Sequence, residues 1–143
     1  MAVVKRADKL TELTTADRIL YTDFCNNFDV HPERHDLIRK LDSSSVKQAL
    51  KNLIMTNRKE RLFNPNFGSD IQQLLFELAT PATAALIKNF IETTINNFEP
   101  RVEIVDLVVN PDVDRNTYSV SLTFGLHTVA EPLLLEFILD RVR

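Results

Sequence analysis

The periodicity of the sequence changes within residues 80–109, TPATAALIKNFIETTINNFEPRVEIVDLVV. Thr80-Pro81 is typical of a helix start, with threonine as the N-cap and proline at the first helical position. An apolar stripe then recurs at helical spacing over about five turns, formed by Leu86, Ile87, Phe90, Ile91, Ile95 and Phe98. Pro100 ends the helix, and Glu99 is the predicted hinge because the residue before a proline avoids helical backbone angles. The β-branched residues of 102–109 then predict a strand.

Two further helices are predicted upstream. The first follows Asp42, is capped by Ser43 or Ser44, and buries a face formed by Val46, Ala49, Leu50, Leu53 and Ile54. The second is short, is capped by Asp70, and has an inner side formed by Ile71, Leu74, Leu75 and Leu78. In the connection over residues 58–68, we expect Leu62, Phe63 and Phe67 to be apolar anchors around an Asn-Pro-Asn turn.

The C-terminal third predicts a small sheet. Apolar and polar residues alternate from Thr117 to His127, as in a half-buried antiparallel strand. The segment from Leu133 to Val142 fits a strand or a helix, and strand is favoured because a hairpin needs a third strand for stability. The predicted fold is α+β: an arm over residues 1–20, then one domain over 21–143 with three helices (about 43–98) and about three antiparallel strands (about 102–142).

Composition excludes several classes of protein. The chain has 143 residues and a net charge of −3, which gives no electrostatic reason to expect nucleic-acid binding. Its two glycines cannot form a phosphate-binding glycine-rich loop. Cys25 has no partner for an internal disulfide, and no segment reaches the apolar length of a secretion signal or membrane span. We therefore expect a soluble protein made in a cytoplasm.

Candidate ligand and nucleophile positions are weak. His31 and His35 have a metal-ligand spacing on a helix, but a proline lies between them and no third ligand is evident. Asp112 and Asp114 lack the alternating oxygen ligands of a calcium loop and fit a hairpin turn better. Cys25 has no histidine motif nearby. The sequence predicts no catalytic residue, metal or cofactor.

Three segments in order carry a family resemblance: RLFNPNFG at 61–68, LFE with TPAT at 75–83, and EPR at 99–101. Together they are similar to the small baseplate wedge protein of contractile-tailed phages, a family that includes a type VI secretion baseplate component and is sometimes called lysozyme-like. The likeness covers most of the chain from Tyr21 onward. Members often have a glycine where this chain has Lys59, so the turn there has another geometry or tolerates strain.

The resemblance implies a structural role in the virion, at the tail baseplate. Glu99, Pro100 and Arg101 would dock against a helical bundle of other wedge subunits, with Arg101 meeting carboxylates or carbonyls and Glu99 meeting a partner's cation. The sheet resembles a strand-exchange domain of the sheath protein. It would accept sheath strands at edges over Thr117–Leu126 and from Leu133 to Val142, so that the chain templates the first sheath ring. Tube or hub proteins are further candidate partners, and no membrane partner is expected.

Besides a generic adaptor that recognises a β-strand peptide, two alternatives stay open. The first is a type VI secretion baseplate component, although the aromatic stretch from Tyr21 to Phe28 and His31-Pro32 favours the phage branch. The second is a peptidoglycan hydrolase with Glu99 as general acid. That role needs a protonated carboxyl and a defined second carboxylate, and the sequence marks none among Glu77, Glu92 and Glu103. A neighbouring Arg101 would favour the ionised form.

Overall fold

The structure, a computed structural model, describes residues 19–127 and 129–140. Its helices are α1 (Asp42–Met55), α2 (Ile71–Leu74) and α3 (Pro81–Phe98). Its strands are β1 (Thr22–Phe24), β2 (Arg39–Leu41), β3 (Val102–Asp112), β4 (Thr117–Leu126) and β5 (Val129–Leu139). This mixture of helices and antiparallel sheets confirms the predicted α+β class. Most of the predicted arm (residues 1–18) and the last residues of the C-terminal segment (141–142) lie outside the described residues.

The chain divides into two compact units, residues 1–46 and 47–143. The predicted division, an arm to residue 20 and one domain from residue 21, stays a prediction. In the first unit β1 pairs antiparallel with β2, so that Thr22 faces Leu41 and Phe24 faces Arg39. The Asp42 carboxylate accepts backbone N–H groups from Leu20 (2.8 Å) and Tyr21 (3.2 Å), which fixes the entry to the hairpin. Phe24 and Phe28 are mostly exposed.

The second unit contains a three-stranded antiparallel sheet in the order β3-β4-β5. Its inner face comes from alternate residues that are buried on all three strands. Those on β4 are Tyr118, Val120, Leu122, Phe124 and Leu126. Pairing in register extends this face to Leu107 on β3 and to Phe137 and Leu139 on β5. The last segment is therefore a strand, as predicted, and it begins before Pro132 because Pro132 lies at the irregularity in the β4–β5 register.

Helix α3 packs against β3 through an apolar stripe. Ile87, Ile91 and Ile95 are fully buried, whereas Leu86, predicted to share that stripe, is half exposed. The helix starts as predicted, since Thr80 Oγ1 accepts the N–H of Thr83 (3.2 Å) and Pro81 follows. Helix α2 is shorter than its apolar pattern suggested, and Leu78 lies beyond its end in solvent.

The connection after α1 is fixed at Gly68 and Ser69. Gly68 has φ +108°, and a Cβ atom there would overlap the carbonyl oxygen of Thr56. Ser69 Oγ donates to the carbonyl of Ile54 (2.7 Å), and the Ser69 N–H donates to that of Thr56 (2.8 Å). Lys59 has a left-handed backbone with φ +69°. The turn therefore keeps a glycine-like geometry and tolerates the strain.

Candidate functional site

A sharp corner separates α3 from β3. The N–H of Glu99 makes the last helical bond, to the carbonyl of Ile95 (2.8 Å), and Glu99 then leaves the helix at φ −128°, ψ 76°. The N–H of Val102 donates to the carbonyl of Glu99 (3.3 Å), which closes a turn with Pro100 at its second position. Proline suits that position because its ring fixes φ and it has no N–H to satisfy. The predicted hinge is thus a hydrogen-bonded turn.

The side chains of Glu99 and Arg101 pair with each other across this turn. Arg101 Nε donates to Glu99 Oε1 (2.5 Å) and Arg101 Nη2 donates to Oε2 (2.6 Å), a two-pronged charge-assisted contact. The Glu99 side chain is only 8% exposed, whereas that of Arg101 is 35% exposed. Sequence reasoning gave Glu99 a partner's cation as its contact. In the structure, both carboxylate oxygens already accept from Arg101, so the solvent-facing members of the corner are Pro100 and Arg101.

The RLFNPNFG segment lies beside this corner, a proximity that sequence reasoning missed. The ring of Phe67 is 5.2 Å, centroid to centroid, from the ring of Phe98, the last residue of α3. The Arg61 guanidinium lies 3.9 Å above the Phe67 ring, close enough for a cation–π contact. Phe67 is therefore an anchor, as predicted. Leu62 and Phe63, predicted to be anchors as well, are fully exposed instead.

The sheet offers two candidate edges, and one predicted edge is wrong. Thr117–Leu126 is β4, the central strand, which pairs with β3 on one side and β5 on the other. Its backbone groups face partners on both sides, so it cannot accept a further strand. The alternation of apolar and polar side chains predicted the two faces of β4 correctly. This alternation carries no information about which strands lie beside β4. Among the described strands of this sheet, the edges are β3 and β5.

The two edge strands differ in regularity. The β3–β4 register is interrupted between Ile104 and Asp106, and Pro111 has no N–H to offer a new strand. From Leu133 to Leu139, β5 pairs with β4 without interruption. An uninterrupted edge is the better template for strand addition. The β5 part of the earlier prediction is therefore compatible with the observed topology up to residue 139.

His31 and Asp112, weighed above as metal ligands, take part in local turns. His31 Nδ1 faces the backbone N–H groups of Glu33 (3.3 Å) and Arg34 (3.4 Å), inside a turn that precedes β2. Asp112 Oδ1 accepts from the N–H groups of Asp114 (3.2 Å) and Arg115 (3.3 Å) in the β3–β4 hairpin. Across residues 19–127 and 129–140, no three His, Cys, Asp or Glu side chains come together as a metal site would require. In the same part of the chain, no helix is long and apolar enough to cross a membrane.

The fold and the segments around the corner agree with a known family. Residues 41–130, from the end of β2 into β5, match the family described as Baseplate wedge protein gp25. The chain belongs to this family. Over 103 residues it is 35% identical to the baseplate wedge protein gp25 of Enterobacteria phage T4. The aligned region covers 68% of this chain and 78% of that protein.

Solved structures share the fold at lower identity. One chain of the anti-feeding prophage baseplate superposes with a TM-score of 0.65 at 24% identity, covering 78% of this chain and 89% of that one. A Geobacter sulfurreducens protein named as a candidate tail lysozyme superposes with a TM-score of 0.62 at 19% identity, covering 68% of this chain and 89% of that one. At these identities the likeness concerns the fold alone.

Membership of the gp25 family confirms the predicted relationship and the predicted class of function. The chain is a structural component of a contractile-tail baseplate, and its place is in the baseplate of the tail. A baseplate protein associates with other baseplate components.

Proposed function

We propose that the chain is a docking module of the baseplate wedge that contacts other wedge subunits through the corner formed by Pro100 and Arg101. The observation that carries this proposal is the arrangement of Glu99, an almost buried carboxylate that binds the Nε and Nη2 edge of the Arg101 guanidinium. Glu99 is then a positioning residue. A guanidinium held in one orientation before contact loses little conformational entropy on binding.

The test of the corner compares two arginine-to-lysine changes. Arg101→Lys keeps the positive charge but cannot make the two-pronged contact, so we expect loss of most binding to purified wedge subunits of the same tail. Arg115→Lys is the matched control, because the Arg115 side chain is 83% exposed in the β3–β4 hairpin. Equal binding by both variants, with both folded by circular dichroism, would exclude the corner as a docking site.

We further propose that β5 accepts an extended strand from a sheath subunit and so templates the first sheath ring. Two observations support this: the uninterrupted register from Leu133 to Leu139, and the exposed outer-face side chains Leu134 and Ile138 on the same strand. Strand addition gains affinity from the backbone and selects the register through side chains of this kind.

A lysine on the outer face tests this role, since proteins use lysines to discourage pairing at sheet edges. Ile138→Lys should reduce sheath nucleation on assembled baseplates, counted by electron microscopy. Val108→Lys places the same charge on the same face of the sheet but on β3, and should leave nucleation unchanged. If the β3 variant is the defective one, the sheath strand adds to the other edge.

We also propose that the chain has no hydrolase activity. A general acid must deliver a proton to the leaving group, and both oxygens of Glu99 are engaged by Arg101. Purified protein should release no more soluble product from peptidoglycan than a buffer control. Turnover that disappears in Glu99→Gln, with the fold intact, would overturn this conclusion.

A further inference from the structure

Two adjacent apolar side chains stand in solvent at the tip of the loop over residues 58–67. Leu62 is 92% exposed and Phe63 is 102% exposed, values close to those of an extended peptide. Single exposed apolar residues are ordinary. A neighbouring leucine and phenylalanine with almost no contact to their own fold call for a separate explanation, because their burial would be favourable.

The loop that carries this tip is well tied to the fold. The N–H of Lys59 donates to the carbonyl of Pro65 (2.8 Å) across the base of the loop, and Glu60 Oε2 accepts the N–H of Asn57 (2.8 Å). Phe67 rests on Phe98 as described above. The left-handed backbone at Lys59 is maintained against its cost. Strained backbone held in place by its surroundings occurs preferentially at functional sites.

The charge of the loop indicates the character of its partner. Arg58 is paired with Asp70 (3.1 Å), whereas Lys59, Glu60 and Arg61 together carry a net charge of +1 in a chain whose total is −3. The tip is therefore an apolar pair beside a basic segment. An apolar pocket with an acidic rim would complement it in both respects.

We propose that Leu62 and Phe63 insert into such an acidic-rimmed apolar pocket on a neighbouring protein subunit of the baseplate. This inference rests on the proposed function, because the contact of Phe67 with Phe98 places the base of the loop beside the helix end from which the corner begins. In this proposal, a subunit that docks at the corner also meets the tip. The pair then acts as a central anchor and Arg101 as a polar contact at its border.

The test is a binding measurement between the full chain and purified, fluorescently labelled wedge subunits of the same tail. We expect the double variant Leu62→Ser/Phe63→Ser to raise Kd by at least about thirtyfold, since two buried apolar side chains are lost. The matched control is Phe76→Ser/Leu78→Ser, which removes the same two side chains from another exposed site in the same unit. Thermal unfolding should show both variants folded.

A charge variant tests the electrostatic part of the contact, and a vesicle assay tests a membrane as the alternative partner. Lys59→Asn removes one charge while suiting a left-handed backbone, and should weaken binding most at low salt. Vesicles with anionic phospholipid test the other surface that a basic loop with exposed apolar residues could enter. Binding to vesicles that depends on Leu62 and Phe63, without binding loss to wedge subunits, would overturn the proposal.

The outcomes separate this inference from the proposed function. If the unaltered chain does not bind wedge subunits, the proposed docking function fails. If it binds, and Leu62→Ser/Phe63→Ser binds as well as Phe76→Ser/Leu78→Ser, only the role of the tip is refuted. A loss confined to the tip variant supports it.

Discussion

Replacing Arg101 by methionine should destabilise the fold more than replacing its partner Glu99 by glutamine. Arg101→Met leaves the Glu99 carboxylate, only 8% exposed, without its two donors. Breaking a fully buried ion pair costs about 3–5 kcal/mol. Because the Arg101 side chain is 35% exposed, water can reach the vacated position, and we expect about 2 kcal/mol instead.

Glu99→Gln preserves the volume and one carbonyl acceptor, and the charge that remains lies on Arg101, the more exposed member of the pair. We therefore expect it to cost about 1 kcal/mol. In the double variant neither charge remains. Its cost should fall below the sum of the two single costs by about 1 kcal/mol or more, which is the coupling of the pair.

Urea denaturation of the four proteins, followed by far-ultraviolet circular dichroism, measures this cycle. Arg115→Met serves as the control for loss of an exposed arginine and should change the free energy of unfolding very little. The reasoning is refuted if Arg101→Met costs no more than Arg115→Met. Strict additivity of the two single changes would also refute it, because a pair that shares two hydrogen bonds must couple.

The remaining predictions concern backbone and cap geometry. Gly68→Ala should lower the free energy of unfolding, measured by urea denaturation, by about 3 kcal/mol, because the φ of +108° is unfavourable for alanine and the new Cβ overlaps main-chain atoms. Gly125→Ala should cost far less, since its Cβ would lie 4.0 Å from the carbonyl oxygen of Glu103. Lys59→Gly should raise the free energy of unfolding by about 0.5–1 kcal/mol by relieving a φ of +69°, and destabilisation would contradict the strain. Thr80→Ala should cost about 1 kcal/mol through loss of the α3 N-cap, whereas Thr93→Ala on the exposed face of α3 should be nearly neutral, and equal effects would argue against the cap.

The sequence predicted those elements whose cause is local. Helix α3 has its cap, its apolar stripe and its terminating proline within one continuous segment, so its bounds agree with the prediction. The alternation along β4 identified its buried face for the same reason. Whether a strand lies at the edge or in the centre of a sheet depends on which strands pair with it. No pattern within β4 itself distinguishes a central strand from an edge strand. The prediction of an edge there was therefore wrong.

The candidate site was predicted only in part, because the missing features are contacts. The sequence Glu-Pro-Arg does not show whether the two charged side chains pair with each other or face a partner. The turn at Pro100 brings them together. Apolar residue types suggested burial for Leu62 and Phe63, but burial depends on what lies around the loop. The left-handed backbone at Lys59 belongs to a loop closed by a hydrogen bond to Pro65, and a lysine in the sequence does not indicate such a backbone.

The arrangement of the sheet also bears on how quickly the protein reaches a state fit for assembly. Strands β3, β4 and β5 follow one another along the chain, and each pairs antiparallel with the next. Closing the short loops between them costs little chain entropy, and a β-hairpin forms in about 1–10 microseconds. We therefore expect β5 to pair with β4 early in folding. Such pairing would shorten the time during which the unpaired strand could aggregate.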